Sequence, residues 1–398
     1  MTAAIKDVPF YKKIFENIEK EKYELSDFPI VCKANYQENL NDFISVKYQG
    51  KQLHIIYTSG STGQPMKIYK NQKDYFMQLK NVWDVRLKKY GIKLNDKELK
   101  FIFSNTIGND IINIDENNNS MSINCVNITE EWLAKNYEII SNFAPKYCIG
   151  YGSIICNFMR MCENINVKFP KSIKYIELLG EYVFDVQKNY IKNNTKADVV
   201  NSYGTSEIFG IAYECKNGNL HCLNRNALVE IISDDMKKCD YGEVGNIVLT
   251  SYYSEAMPFI RYMIGDIGAL RKSFTCSCGD CNDILDIKAG RKYDYVILES
   301  GEKKHAGFFY GIIGAMNKKF CDSILQFEII QNSYNFFTVN LLVQKKYEVF
   351  SLMMQKEFVR LVNQFDLGEA EWKFNIILGN RLDINHGKYK FFKREFDK

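Results

Sequence analysis

Ile55-Ile56-Tyr57-Thr58-Ser59-Gly60-Ser61-Thr62-Gly63-Gln64-Pro65 sets a β-branched apolar run directly before a loop of hydroxyls and glycines. Backbone N–H groups in such a loop, together with the hydroxyls of Thr58, Ser59, Ser61 and Thr62, can point at phosphate oxygens. Gly60 and Gly63 let the backbone approach them closely. The Gly-Lys-Ser/Thr ending of a Walker loop is missing, so the usual P-loop fold is not indicated.

Outward from this stretch, short apolar runs alternate with helical patterns up to about residue 286. Examples are Leu99–Ser104, Ala144–Gly150, Ile173–Leu179 and Ala197–Asn201. That alternation predicts an α/β domain with crossover helices. Strands dominate between Leu228 and Leu270, with Glu243–Thr250 the clearest. Beyond Gly290 short strands (Tyr295–Leu298, Phe336–Gln344) surround helices such as Val349–Phe365, the pattern of a small α+β domain. The expected division is therefore a large domain over 1–290, carrying a cysteine-rich loop at 276–281, and a small domain over 291–398.

Asn201-Ser-Tyr203-Gly204-Thr205-Ser206-Glu207 follows one of the predicted strands, and strand ends are where ligands sit in α/β sheets. Tyr203 can stack on a base, Thr205 can bond a phosphate and Glu207 can hold Mg²⁺. A plain turn with a helix-start Ser and Glu is the alternative for these residues alone.

A chain of 398 residues exceeds one ordinary core, and its 46% hydrophobic and 25% charged residues are those of a globular protein. A net charge of +4 is slight for this length and gives no reason to expect a nucleic-acid partner. No apolar run is long enough to span a membrane, and the start Met1-Thr-Ala-Ala-Ile-Lys-Asp lacks the apolar core of a secretory signal, so a cytoplasmic protein is expected. In that setting twelve cysteines do not suggest a disulfide framework. Cys125, Cys148, Cys156 and Cys162 lie in apolar surroundings and read as buried thiols.

Cys276-Ser-Cys278-Gly-Asp-Cys281 is different, being polar and dense, and Cys215 and His221 precede it by about sixty residues. Soft thiolates with one imidazole suit tetrahedral zinc, so these cysteines and His221 are candidate ligands of a structural Zn²⁺ site. Cys222 and Cys281 are spare candidates, and free reduced thiols remain the alternative. His54 and His305 read as ordinary polar residues.

The Thr58–Gly63 loop and the string Tyr203–Glu207 resemble, in order and distance, two signatures of the adenylate-forming superfamily of acyl-CoA synthetases and adenylation domains. Glu255-Ala-Met-Pro-Phe-Ile-Arg-Tyr262-Met-Ile-Gly-Asp266 is similar to a stretch of phenylacetate–CoA ligases and their capsule-biosynthesis relatives. The resemblance covers about residues 55 to 390. It implies a large N-terminal domain of mixed sheets and helices with a small mobile C-terminal lid. Asp266 takes the place of the aspartate that grips the ribose hydroxyls, and Gly290-Arg291 that of the domain-closing pair whose arginine touches the ribose. Gly180-Glu181 resembles the pair lining the adenine pocket. Lys388, in His386-Gly387-Lys388, resembles the lysine that reaches the acyl carboxylate and the α-phosphate. Glu214-Cys215, Gly218…His221 and Cys276-Ser-Cys278-Gly279 resemble cysteine motifs frequent in the phenylacetate–CoA ligase branch, which implies Cys215, His221, Cys276 and Cys278 as the zinc ligands.

What the resemblance implies is activation of a small carboxylic acid by ATP and Mg²⁺ as an acyl-adenylate, then transfer to the thiol of CoA. Two alternatives stand beside it. One is an acyl-adenylate ligase whose acceptor is an amine, a sugar or a separate carrier protein's thiol; the other is a non-catalytic nucleotide-binding scaffold. The sequence departs from the family pattern at three places. Tyr293 stands where the hinge has its first Asp, Met66 follows Pro65 where a lysine is usual, and Gly301-Glu-Lys-Lys-His-Ala-Gly307 replaces the segment after the hinge. The first and third touch the transfer step, so adenylation is the more firmly implied half-reaction.

Overall fold

The computed structural model describes residues 1–18, 20–58, 65–102, 111–125, 128–291, 294–378 and 390–396, with the backbone alone at 289–291. The chain forms two compact units, Met1–Leu94 with Val200–Lys288 and Asn95–Val199 with Ala289–Lys398. In the second unit residues 95–199 group with the C-terminal part. Aromatic contact joins them: the Phe184 ring stacks on Tyr310 at 4.9 Å and meets Phe327 edge-on at 5.7 Å.

In the first unit the strands Ala227–Ile232, Gly245–Ser251 and Tyr262–Arg271 are antiparallel neighbours, with Leu228 opposite Thr250 and Leu249 opposite Tyr262. Ile284–Arg291 pairs with Leu220–Cys222, which pairs with Ala212–Glu214, which in turn pairs with Asp198–Tyr203. Ile247, Val248 and Leu249 are all buried, so this strand is covered on both faces, which explains its unbroken apolar run. An aromatic cluster of Tyr11, Phe28, Tyr36, Phe43, Phe259 and Tyr262 packs the N-terminal helices Thr2–Asp7 and Pro9–Phe15 into the same core.

The helix Gln72–Tyr90 starts where the Asn71 side chain accepts the Asp74 N–H at 2.8 Å, and ends at Gly91 with φ +68°. Both are ordinary helix signals: a capping amide, and a glycine free to turn left-handed. Just before it, His54–Tyr57 and Lys67–Lys70 form a hairpin with Tyr57 opposite Lys67.

The second unit contains parallel strands in the order Tyr175–Leu179, Tyr147–Gly150, Glu98–Ile102, Ser120–Asn124, with Ile112–Asp115 antiparallel at the edge. The helices Glu130–Phe143, Gly152–Asn164 and Asp185–Asn194 alternate with these strands, as the sequence pattern predicts. Cys125, Cys148, Cys156 and Cys162 are buried there among Ile, Leu and Met, and burial pushes the Cys162 thiol up to about 12. The C-terminal part carries a further sheet in the order Glu371–Ile377, Phe336–Val343, Ile324–Gln331, Phe392–Arg394. The helices Phe308–Lys319 and Ser351–Val362 share its apolar core with Phe327, Val339 and Leu341. That is the expected α+β arrangement. Among the described residues no helix is long and apolar enough to cross a membrane.

Candidate functional site

The hairpin of His54–Tyr57 and Lys67–Lys70 stands just before the long helix in the chain. Thr58 closes the base: its N–H donates to the Met66 carbonyl at 3.0 Å, and its Oγ1 accepts the Met66 N–H at 2.8 Å. Ser59, Gly60, Ser61, Thr62 and Gly63 lie outside the described residues.

Tyr203 ends the strand Asp198–Tyr203, and the chain returns on Ala212–Glu214, so residues 204–211 form the connection. It is a turn and not a helix start. The Thr205 N–H donates to the Ile208 carbonyl and Thr205 Oγ1 accepts the Ile208 N–H, both at 3.1 Å. Gly204 is needed here, since a Cβ would lie 2.8 Å from the Gly210 backbone nitrogen.

This segment is bonded twice to the strand Tyr262–Arg271. The Tyr203 hydroxyl donates to Asp266 Oδ2 at 2.7 Å, and the Tyr262 hydroxyl donates to Glu207 Oε1 at 2.8 Å. Two tyrosine–carboxylate pairs therefore bring Tyr203, Glu207 and Asp266 together across some sixty residues of sequence. Glu207 is buried and Asp266 half-buried. A carboxylate offers about four acceptor sites, more than one such bond consumes.

Gly180 and Glu181, in the second unit, follow the strand Tyr175–Leu179. Gly180 has φ +82°, and a Cβ there would fall 2.2 Å from Tyr151 Cε1, so both the backbone and the space demand glycine. Glu181 caps the helix Gly152–Asn164, its Oε1 accepting the Ser153 N–H at 2.6 Å and its Oε2 the Ser153 hydroxyl at 3.0 Å. A carboxylate at that end is favoured by the helix dipole. Arg291 ends the strand Ile284–Arg291, but its side chain lies outside the described residues, as do Tyr293 and Lys388.

The cysteine cluster assembles from two hairpin ends of the first unit. The ligand atoms of Cys215, His221, Cys276 and Cys278 all lie within 4.8 Å of one another. Cys215 Sγ is 3.8 Å from Cys276 Sγ, and Cys278 Sγ is 3.2 Å from His221 Nε2. Zinc bonds of about 2.3 Å to sulfur in a tetrahedron set sulfur–sulfur edges of about 3.8 Å, so the donor set fits that ion. His221 Nδ1 faces the Asn282 carbonyl at 2.8 Å, which turns Nε2 toward the thiols. The Asp280 N–H donates to Cys278 Sγ at 3.4 Å, and the Asn219 amide to Cys276 Sγ at 3.3 Å. The His221 hydrogen bond holds the Cys276 thiol down to about 6, while burial pushes Cys278 up to about 11. Cys222 packs in the apolar core and Cys281 is exposed; neither joins the cluster.

Two features escape the sequence reading. Tyr262 was legible only as part of a motif, yet its hydroxyl orients Glu207. Lys70 shares a strand face with buried Ile68, and the two-residue period carries that signal.

No protein-family model matches the chain. It is 22% identical to Protein CapK of Staphylococcus aureus over 344 residues, which cover 83% of this chain and 72% of that protein. It is 29% identical to the phenylacetate-coenzyme A ligase of Thermus thermophilus over 132 residues, covering 32% of this chain and 29% of the ligase. Among solved structures, 2-hydroxyisobutyryl-CoA ligase in its postadenylation state with R3-HIB-AMP aligns with a TM-score of 0.75 at 15% identity. That alignment covers 100% of this chain and 87% of the ligase.

Proposed function

We propose that this chain, which lies in the adenylate-forming superfamily by fold and by kinship to CapK and phenylacetate-coenzyme A ligase, activates a small carboxylic acid with ATP and transfers it to CoA. The observation that carries this reading is the doubly bonded pair of segments, Tyr203 to Asp266 and Tyr262 to Glu207. It brings together an aromatic ring that would face a base, a carboxylate that would hold a vicinal diol and a second carboxylate that would hold Mg²⁺.

The chemistry needs no protein nucleophile. A carboxylate oxygen of the acid bonds the α-phosphorus, the bond to the β-phosphate oxygen breaks and pyrophosphate leaves. The CoA sulfur then bonds the acyl carbon, AMP leaves and the thiol proton is released. The protein positions two anions and offsets charge developing on the phosphate oxygens. Thr58 to Gly63 and Thr205 would contact the phosphates, Glu207 would hold Mg²⁺, Asp266 and Arg291 would hold the ribose, and Gly180-Glu181 and Tyr203-Gly204 would flank the adenine. Lys388 would join the acid to the α-phosphate, with the small domain swinging after Gly290-Arg291. Cys215, His221, Cys276 and Cys278 would bind one structural Zn²⁺. Buried reduced thiols suit the cytoplasm.

Tyr293 in place of the hinge aspartate favours a second reading, in which the acceptor is an amine, a sugar or a carrier-protein thiol. ATP–pyrophosphate exchange against a panel of aryl and short-chain acids tests the first half-reaction, and exchange above background with one of them is expected. No exchange with any acid would leave a nucleotide-binding scaffold. Adding CoA to the responding acid should give a thioester by mass spectrometry; adenylate without thioester would select the second reading.

A further inference from the structure

Lys70 ends the strand Lys67–Lys70 on the same face as Ile68, and only 1% of its surface is exposed. An ammonium there loses far more solvation than an apolar side chain of the same size would. Its Nζ donates to the Glu207 carbonyl oxygen at 2.5 Å and to Gln78 Oε1 at 2.8 Å, and lies 4.6 Å from the centre of the Phe209 ring. Gln78 Oε1 also accepts the Phe209 N–H at 3.1 Å. From another segment, Asn226 Nδ2 donates to the Phe209 and Gly210 carbonyls at 2.5 and 3.1 Å. The backbone of 207–210 is thus gripped by side chains from the hairpin, the long helix and the loop at 226.

We propose that Lys70 is a positioning residue, which fixes the carbonyl of Glu207 and thereby aims the carboxylate of the same residue at a divalent cation. The inference rests on the nucleotide reading above and deepens it. Burial pushes the Lys70 amine down to about 7, while the Glu207 and Asp74 carboxylates draw it back up. Tyr262 holds the carboxylate itself and Lys70 the backbone behind it, leaving Glu207 little freedom to swing.

The test is calorimetric titration of the full chain with α,β-methylene-ATP, in Mg²⁺ and in EDTA. Wild type is expected to bind more tightly with Mg²⁺. Lys70→Met should lose about tenfold of that metal-dependent gain, the scale of one hydrogen bond acting through a charged group, while its affinity in EDTA stays within about twofold. Gln78→Leu, which removes the acceptor shared by Lys70 and the Phe209 N–H, should show the same selective loss, and it decides the question if Lys70→Met does not fold. A full Mg²⁺ gain in either folded variant overturns the proposal, and so does an equal loss in both conditions, which a general loosening of the core would give. A wild-type chain that does not bind the analogue overturns the nucleotide reading itself, and this inference with it.

Discussion

The Tyr203–Asp266 bond brings together two residues that the sequence places in separate motifs. If Asp266 grips a ribose, its geometry depends on the tyrosine that would also border the base. Asp266→Ala is expected to weaken ATP binding by more than about 1.5 kcal/mol, the scale of losing hydrogen bonds to a charged group, whereas Tyr203→Phe should cost about 1 kcal/mol. Tyr203 would act on the ribose through that carboxylate, so the phenylalanine change should add little in the Asp266→Ala background. Calorimetric titration of the folded variants checks this, and unchanged ATP affinity in Asp266→Ala would remove the aspartate from the site.

At the scale of elements, the cysteine corner brings the hairpin of Ala212–Glu214 and Leu220–Cys222 against the loop that carries Cys276 and Cys278. The strand Leu220–Cys222 pairs with Ile284–Arg291 through His221 opposite Ile284, and the loop carrying Cys276 and Cys278 is short and polar. Further ties reach it from the helix Gln72–Tyr90: Lys89 Nζ lies 2.5 Å from Asp280, and the Tyr90 hydroxyl donates to the Glu214 carbonyl at 2.6 Å. A metal would bind the two segments much as a cross-link does, so its binding energy becomes folding energy. Protein purified without added zinc should carry about one equivalent by elemental analysis, as a closed four-ligand site implies. Cys276→Ser should lower that content and the melting temperature together. A metal-free chain of unchanged melting temperature would leave the four residues as a thiol cluster only.

At the scale of the whole molecule, the proposed reaction needs the C-terminal part to serve one step and release the next. Lys388 belongs to that question: an ammonium on a long flexible stem suits the bridge between a carboxylate and a phosphate oxygen. Such a bridge strengthens as charge moves onto the departing pyrophosphate. Lys388→Ala should therefore slow adenylate formation on the order of a hundredfold, roughly 3 kcal/mol, and leave consumption of a synthetic acyl-adenylate much less affected. Pyrophosphate exchange close to the wild-type rate in that variant would make Lys388 an ordinary solvated lysine.

The strands, the crossover helices and the α+β character of the C-terminal part could be read from residue order alone, because apolar periodicity and glycine placement are local quantities. Gly204 shows the limit of that reading: the sequence marks it as a turn residue, but the reason it must be glycine is the Gly210 backbone 2.8 Å from where its Cβ would stand. The motifs told which residue types suit a nucleotide. Folding set what each one touches: Glu181 caps a helix, Tyr262 holds Glu207, and buried Lys70 grips the turn from behind. The pairing of 95–199 with 289–398 was likewise out of reach, since it depends on rings such as Phe184 and Tyr310 meeting across more than a hundred residues. Local patterns carry secondary structure because they depend on neighbours in the chain. Contacts between distant segments depend on which surfaces bury best together, and that is settled only when the chain has packed.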